Sequence, residues 1–81
     1  MASTIKQYKS QMQRTFRQAV RRRFGRFPRY IETASPQIRD FRDGFGLAVN
    51  DEILQGRESR SAAFVEGYDA GRRALLESLF A

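Results

Sequence analysis

The sequence predicts an all-α fold with three helices: a basic amphipathic N-terminal helix, then a close-packed antiparallel helical hairpin. The domain is expected to be oligomeric. Apolar residues recur at spacings of three and four along three stretches, which is the helical period. Gly, Pro and Ser signals separate those stretches. The 81 residues include no Cys and no His, so neither disulfides nor a usual zinc site can staple the chain. One packed helical domain over residues 1–81 is therefore expected.

The first helix is expected over residues 4–24. Thr4 and Gln7 have the spacing of a capping box at its start. Gly25 and then Pro28 predict its end. Polar and basic residues fill the arc opposite one apolar stripe, which consists of Ile5, Tyr8, Met12, Phe16, Ala19 and Val20.

The second helix is expected over residues 36–55, after a connector over 25–34. Ser35 followed by Pro36 is a strong start signal, because the hydroxyl can cap the helix and proline suits its first position. Gly56 predicts its end. Its apolar stripe contains Ile38, Phe41, Phe45, Ala48, Val49 and Ile53.

The third helix is expected over residues 60–80, capped by Ser59 or Ser61 and joined to the second by about five residues. Its apolar face contains Phe64, Tyr68, Gly71, Leu75 and Leu79.

An aromatic-x-acid-Gly-aromatic pattern occurs twice, beginning at Phe41 and at Phe64. Each copy contains two small residues four apart, Gly44 with Ala48 and Gly67 with Gly71. Small residues at this spacing form a groove that permits close backbone approach of a partner helix. The alternative is that these glycines only weaken or bend their helices, at up to about 1 kcal/mol each.

The formal net charge of +6 is unevenly distributed. Residues 1–30 hold nine basic and no acidic side chains, residues 31–56 two basic and five acidic, and residues 57–81 four of each. Such polarisation suits a polyanionic partner, or self-association through opposite charges.

The segment from Arg21 to Tyr30 interleaves arginines with aromatic residues. Guanidinium groups grip phosphates, and aromatic faces accept bases by stacking. The predicted nucleic-acid contacts are Arg14, Arg17, Arg21, Arg22, Arg23, Arg26, Arg29, Phe27 and Tyr30. One alternative is that the aromatic residues anchor the connector on the core and the arginines are solvated or paired with acids. Another is that the segment binds an anionic small ligand or an acidic protein surface.

Five apolar side chains lie at the edge or behind the predicted helix stripes and favour self-association, with a dimer as the expected state. They are Leu47, Leu54, Val65, Leu76 and Phe80.

No cofactor, no metal site and no catalytic residues are predicted. Asp40, Asp43 and Asp51 are interpreted as an acidic solvated face or as partners for arginines, since no phosphate-binding loop accompanies them. No apolar run approaches the roughly 20 residues that span a bilayer. A basic amphipathic helix can also lie on a membrane, but core packing is the better use of this one.

The leading hypothesis is a small non-enzymatic protein that binds nucleic acid through phosphate contacts with low sequence specificity. The alternative is a protein-interaction or assembly module, an inhibitor or structural subunit of phage type, that docks on an acidic protein surface or forms a symmetric oligomer. The expected location is cytoplasmic or nucleoid-associated, with a virion as the other setting considered.

Overall fold

The computed structural model describes residues 2–80 and, among their side chains, those of residues 10–79. Over this part of the chain the structure is all-helical and contains no strand. The prediction of three α-helices is therefore confirmed. They are α1 (Ala2–Phe24), α2 (Pro36–Val49) and α3 (Ala62–Phe80), with short 3₁₀ turns at Ile31–Thr33 and Arg57–Ser59.

Helix α1 begins two residues before the predicted start at Thr4 and ends where the sequence predicts. The proposed capping contact of Thr4 falls outside the described side chains. At the other end, Gly25 has φ +89° and donates its N–H to the carbonyl of Arg21 over 2.8 Å. This left-handed conformation suits glycine and ends the helix at Phe24.

Serine side chains cap the two later helices. The hydroxyl of Ser35 accepts the N–H of Ile38 at 3.4 Å, with Pro36 at the first helical position, as predicted. Ser61, one of the two predicted caps of α3, accepts the N–H of Phe64 at 3.2 Å and donates to Asp40 at 2.8 Å. Helix α3 therefore begins at its cap and is tied there to the first turns of α2.

Helix α2 ends at Val49, six residues before the predicted end, so the predicted boundary at 55 is wrong. Asp51 adopts φ +60°. The N–H groups of Asp51 and Glu52 bond back to Ala48 and Leu47, at 2.9 and 3.1 Å, which closes a Schellman cap. As a consequence Ile53, predicted to lie on the buried stripe, follows the helix and is 82% exposed.

Helices α2 and α3 pack closely, as predicted, but they run parallel and not antiparallel. Near their N-terminal ends Asp40 accepts from Ser61. Just after the C-terminal end of α2, Asp51 pairs with Arg72 in the middle of α3 at 2.9 Å. Contacts therefore advance along both helices in the same direction.

Loop length explains the difference in direction. At 1.5 Å per residue α2 is about 21 Å long, and a parallel partner requires the chain to return over that distance. The early end of α2 leaves residues 50–61 for this return, and twelve residues reach up to about 40 Å. The tyrosine hydroxyl of Tyr68 donates to the carbonyl of Glu52 at 3.1 Å, and Arg57 pairs with Asp69, so the loop is fastened to α3.

The repeated glycine motif forms the contact between the paired helices. Gly44 faces the carbonyl of Phe64, and Gly67 faces the carbonyl of Phe41. Swapping the two copies of the repeat turns one contact into the other. An approximate two-fold axis parallel to the helix axes therefore relates α2 to α3. Gly71 completes it against Ala48 and Phe45. Glycine is needed at these three positions because the two backbones approach closely there. Gly46 has no such role, since a Cβ at that position would meet nothing within 4 Å.

The hydrophobic core lies between α1 and the paired helices. The buried residues Met12 and Val20 of α1 pack with Phe41 and Phe45 of α2 and Ala74 of α3. The predicted face of α3 is displaced, since its small residues are buried and Leu79 is 69% exposed. Close approach selects the small side chains for the centre of the interface, and the larger ones flank it.

Candidate nucleic-acid interface

The middle of α1 presents three arginines to solvent. Arg14, Arg17 and Arg21 are exposed and lie within an arc of about 60° at 3.6 residues per turn. None of them forms an ion pair with a described carboxylate. Arg14 and Arg17 also line a shallow depression of about 220 Å³ with Ser10 and Gln13. Guanidinium, hydroxyl and amide groups all donate hydrogen bonds, so this depression suits an anionic oxygen.

Arg22 extends the basic surface towards α3, where Arg73 lines the same grooves, although Arg73 is not among the predicted contacts. Arg22 and Arg73 line the same two grooves between α1 and α3, over small residues such as Ala19 and Ala70. Both arginines are exposed and lack an ion pair among the described side chains. Arg73 therefore joins the candidate interface.

Arg23 differs from the other predicted contacts because a carboxylate neutralises it. Its guanidinium bonds both carboxylate oxygens of Glu66, through Nε to Oε2 and through Nη2 to Oε1 at 3.3 Å. Hydrogen bonding to Glu66, with its charge, raises the pKa of Arg23 above the ordinary value. The guanidinium also lies 5.0 Å from the ring centroid of Phe24. Arg23 thus joins α1 to α3, and two of its three guanidinium nitrogens are occupied by Glu66.

The connector forms an open groove of about 600 Å³ beside the first turn of α2. Arg26 and Arg29 are exposed at this groove and have no carboxylate partner among the described residues. Tyr30 is 58% exposed, and the guanidinium of Arg29 lies 5.5 Å from its ring centroid.

Phe27 packs mainly against the hydrophobic core. Its ring meets Phe16 edge to face, with centroids 5.9 Å apart, and belongs to the half-buried shell of the core. The guanidinium of Arg17 lies 5.2 Å from the Phe27 centroid. The structure therefore places Phe27 as an anchor of the connector that also lines the groove.

The acidic side chains that form ion pairs lie on α2, on α3 and in the loop between them. Asp43 pairs with Arg42 at 3.1 Å, Asp69 with Arg57 at 3.1 Å, and Asp51 with Arg72 at 2.9 Å. The predicted acidic face is thus divided among separate partners, and the described residues contain no cluster of three potential metal ligands. Apart from Arg23, the arginines of α1 and the connector are open, that is, exposed and without a carboxylate partner among the described residues. We call this set the arginine surface: Arg14, Arg17, Arg21, Arg22, Arg26, Arg29 and Arg73.

The apolar residues predicted to form an interface are distributed over α2, its loop and α3. Leu47, Leu54 and Val65 are half-buried, and Leu76 is 46% exposed. Phe80 lies outside the described side chains. Leu79 was not among the predicted interface residues, although it is more exposed than Leu76.

The chain matches no protein-family model, and neither curated proteins nor solved structures show significant similarity to it. Over residues 2–80, none of the helices combines the length and the apolar character that crossing a bilayer requires.

Proposed function

We propose that this protein binds nucleic acid through phosphate contacts made by the arginine surface. The observation that carries the proposal is that six arginines between positions 14 and 29 are exposed without a carboxylate partner among the described residues. Guanidinium groups bind phosphate oxygens bidentately, and open cations next to one another create a field that attracts a polyanion. Arg73 extends the same field across the groove to α3.

The contacts are expected to carry little sequence information. Phosphates are identical along a strand, so contacts to them position a protein without reading bases. The open arginines lie on the exposed side of α1 and continue onto the connector. This arrangement suits a nucleic-acid backbone that passes across the surface. Low sequence specificity is therefore part of the proposal.

Salt-dependent binding tests the proposal. We expect fluorescence anisotropy with labelled oligonucleotides to show a loss of affinity on the order of 10²- to 10³-fold between 50 and 200 mM monovalent salt, because each neutralised phosphate releases counterion. Scrambling the oligonucleotide sequence is expected to change the dissociation constant by less than about threefold at each salt concentration.

Two results would remove the proposal. One is the absence of binding at 50 mM salt, and the other is binding that does not change with salt. Absorbance at 260 relative to 280 nm, before and after a high-salt wash, gives an independent check for nucleic acid that purifies with the protein.

An assembly module is the second candidate function, and exposed apolar residues of α3 favour it. Leu76 and Leu79 are three residues apart and are 46% and 69% exposed. Neighbours at this spacing share one side of a helix and can meet a second copy. In this function the open arginines steer encounter with an acidic surface.

Leu76→Glu separates the two functions. If α3 carries an assembly, a buried charge at its interface is expected to dissociate the oligomer, which light scattering measures directly. Nucleic-acid affinity of the monomer is expected to fall by less than about fivefold, since the one added charge lies three residues from Arg73 and leaves the six open arginines between positions 14 and 29 in place. An unchanged assembly state would remove this face from the second function.

A further inference from the structure

The connector groove has a shape and chemistry that phosphate binding alone does not use. Its volume of about 600 Å³ lies within the range of pockets that hold small organic groups. Aromatic and aliphatic side chains line it together with the hydroxyls of Thr33 and Ser35, the two arginines are exposed, and no acidic side chain is among the lining residues. The basic and apolar residues around the groove include Arg26, Phe27, Pro28, Arg29, Tyr30 and Ile38.

These features match one nucleotide whose base is not paired. A nucleobase is flat and aromatic and stacks on aromatic side chains, while the phosphates beside it are anionic. Tyr30 is 58% exposed, with the guanidinium of Arg29 at 5.5 Å from its ring centroid, so a base would stack on the ring face opposite Arg29. Phe27, Pro28 and Ile38 supply half-buried apolar walls. Bases of a duplex are stacked and paired and do not enter such a groove without being flipped out.

We propose that the connector groove holds an unpaired base of single-stranded nucleic acid, with Tyr30 stacked on the base and Arg26 and Arg29 on the neighbouring phosphates. The inference rests on the proposed function, because the strand reaches the groove along the arginine surface. It adds a substrate class to that function, namely single strands and unpaired segments. DNA and RNA share the chemistry used here.

The groove lies next to Arg17 of α1. Arg17 belongs to the depression on α1 and its guanidinium lies 5.2 Å from the ring centroid of Phe27, which lines the groove. One strand can therefore place phosphates on Arg14 and Arg17 and a base in the groove. Contact of Phe27 with Phe16 fixes the wall against the core, so the groove is held by packed residues.

Substitution of Tyr30 tests the inference. We expect Tyr30→Ala to weaken binding of a 12-nucleotide single strand about tenfold at 50 mM salt, which is the size of effect that loss of one base-stacking contact produces. Binding of the matching duplex is expected to change by less than about twofold. Tyr30→Phe keeps the ring and is expected to bind both probes like the wild type. Single strands of DNA and of RNA form separate arms of the titration.

An abasic oligonucleotide gives a second measurement that needs no variant. It keeps the phosphates and lacks the bases, so we expect the wild type to bind it about as weakly as Tyr30→Ala binds the intact strand, with no further loss when the two changes are combined. An equal effect of Tyr30→Ala on single strand and duplex, or equal binding of abasic and intact strands, would overturn the groove inference and leave phosphate binding intact. Absence of wild-type binding to every probe would overturn both proposals.

Discussion

Replacing Gly44 with alanine is expected to lower the free energy of unfolding by about 2–4 kcal/mol, which corresponds to a fall in Tm of about 10–20 °C for a domain of this size. A Cβ at this position would collide with the carbonyl oxygen of Phe64 and lie 2.8 Å from the backbone nitrogen of Tyr68. Backbone atoms of a helix cannot rotate away as a side-chain tip can. The paired helices must therefore separate, which opens the interface along its length.

Gly46→Ala is the matched control, because it is the same substitution two residues further along the same helix. A Cβ there meets nothing within 4 Å, so only the preference of alanine for helix acts. We expect a gain of about 0.5–1 kcal/mol. Thermal and urea unfolding measure both variants. Equal effects of the two substitutions would contradict the glycine-mediated close pairing of α2 and α3.

Removing three arginines of α1 is expected to have the largest effect on binding. The variant Arg14→Gln, Arg17→Gln, Arg21→Gln should bind single strands about 10²- to 10³-fold more weakly at 50 mM salt, since each lost phosphate contact forfeits its share of counterion release. The loss should be the same for different sequences. Stability should fall by no more than about 1 kcal/mol, because the three side chains are exposed, form no ion pairs with described carboxylates, and include one aromatic contact, that of Arg17 with Phe27.

The control for this variant removes equal charge elsewhere, from Arg42, Arg57 and Arg60. Two of these arginines are paired with acids, and Arg60 lies over the ring of Phe64 at 4.7 Å. Long-range attraction falls equally in both variants, and it is screened within about 10 Å at 0.1 M salt. We expect the control to lose less than about fivefold in affinity. Equal losses would mean that net charge, and not the arginine surface, governs binding.

The parts of the fold that depend on local chemistry were predictable from the sequence. Gly25 ends α1 because its φ is positive, and Ser35 with Pro36 begins α2. The close helix pairing was also predictable, because Gly44 and Gly67 lie at equivalent positions of the repeat. The early end of α2 was not, since Asp51 supplies the left-handed residue that glycine usually provides. That error hid the long return loop, and with it the parallel direction.

The sequence predicts most of the arginines of the candidate site, but it does not predict which of them lack a carboxylate partner. Arg23 resembles its neighbours in the sequence, and only the tertiary structure shows that Glu66 neutralises it. Arg73 has acids four residues away on both sides, Asp69 and Glu77, which at helical spacing indicate ion pairs. In the structure Asp69 pairs with Arg57 instead. Which guanidinium groups stay open thus depends on contacts distant in sequence.

The salt dependence of binding, compared between the wild type and the triple variant at positions 14, 17 and 21, tests the arginine surface most directly. The slope of log K against log salt concentration measures the number of phosphates that are neutralised, at about 0.7 per contact on a single strand. We predict that the variant's slope is shallower than that of the wild type by about 2, which is three contacts. Parallel lines for the two proteins, with the same slope and only a different intercept, would show that these arginines do not contact phosphates.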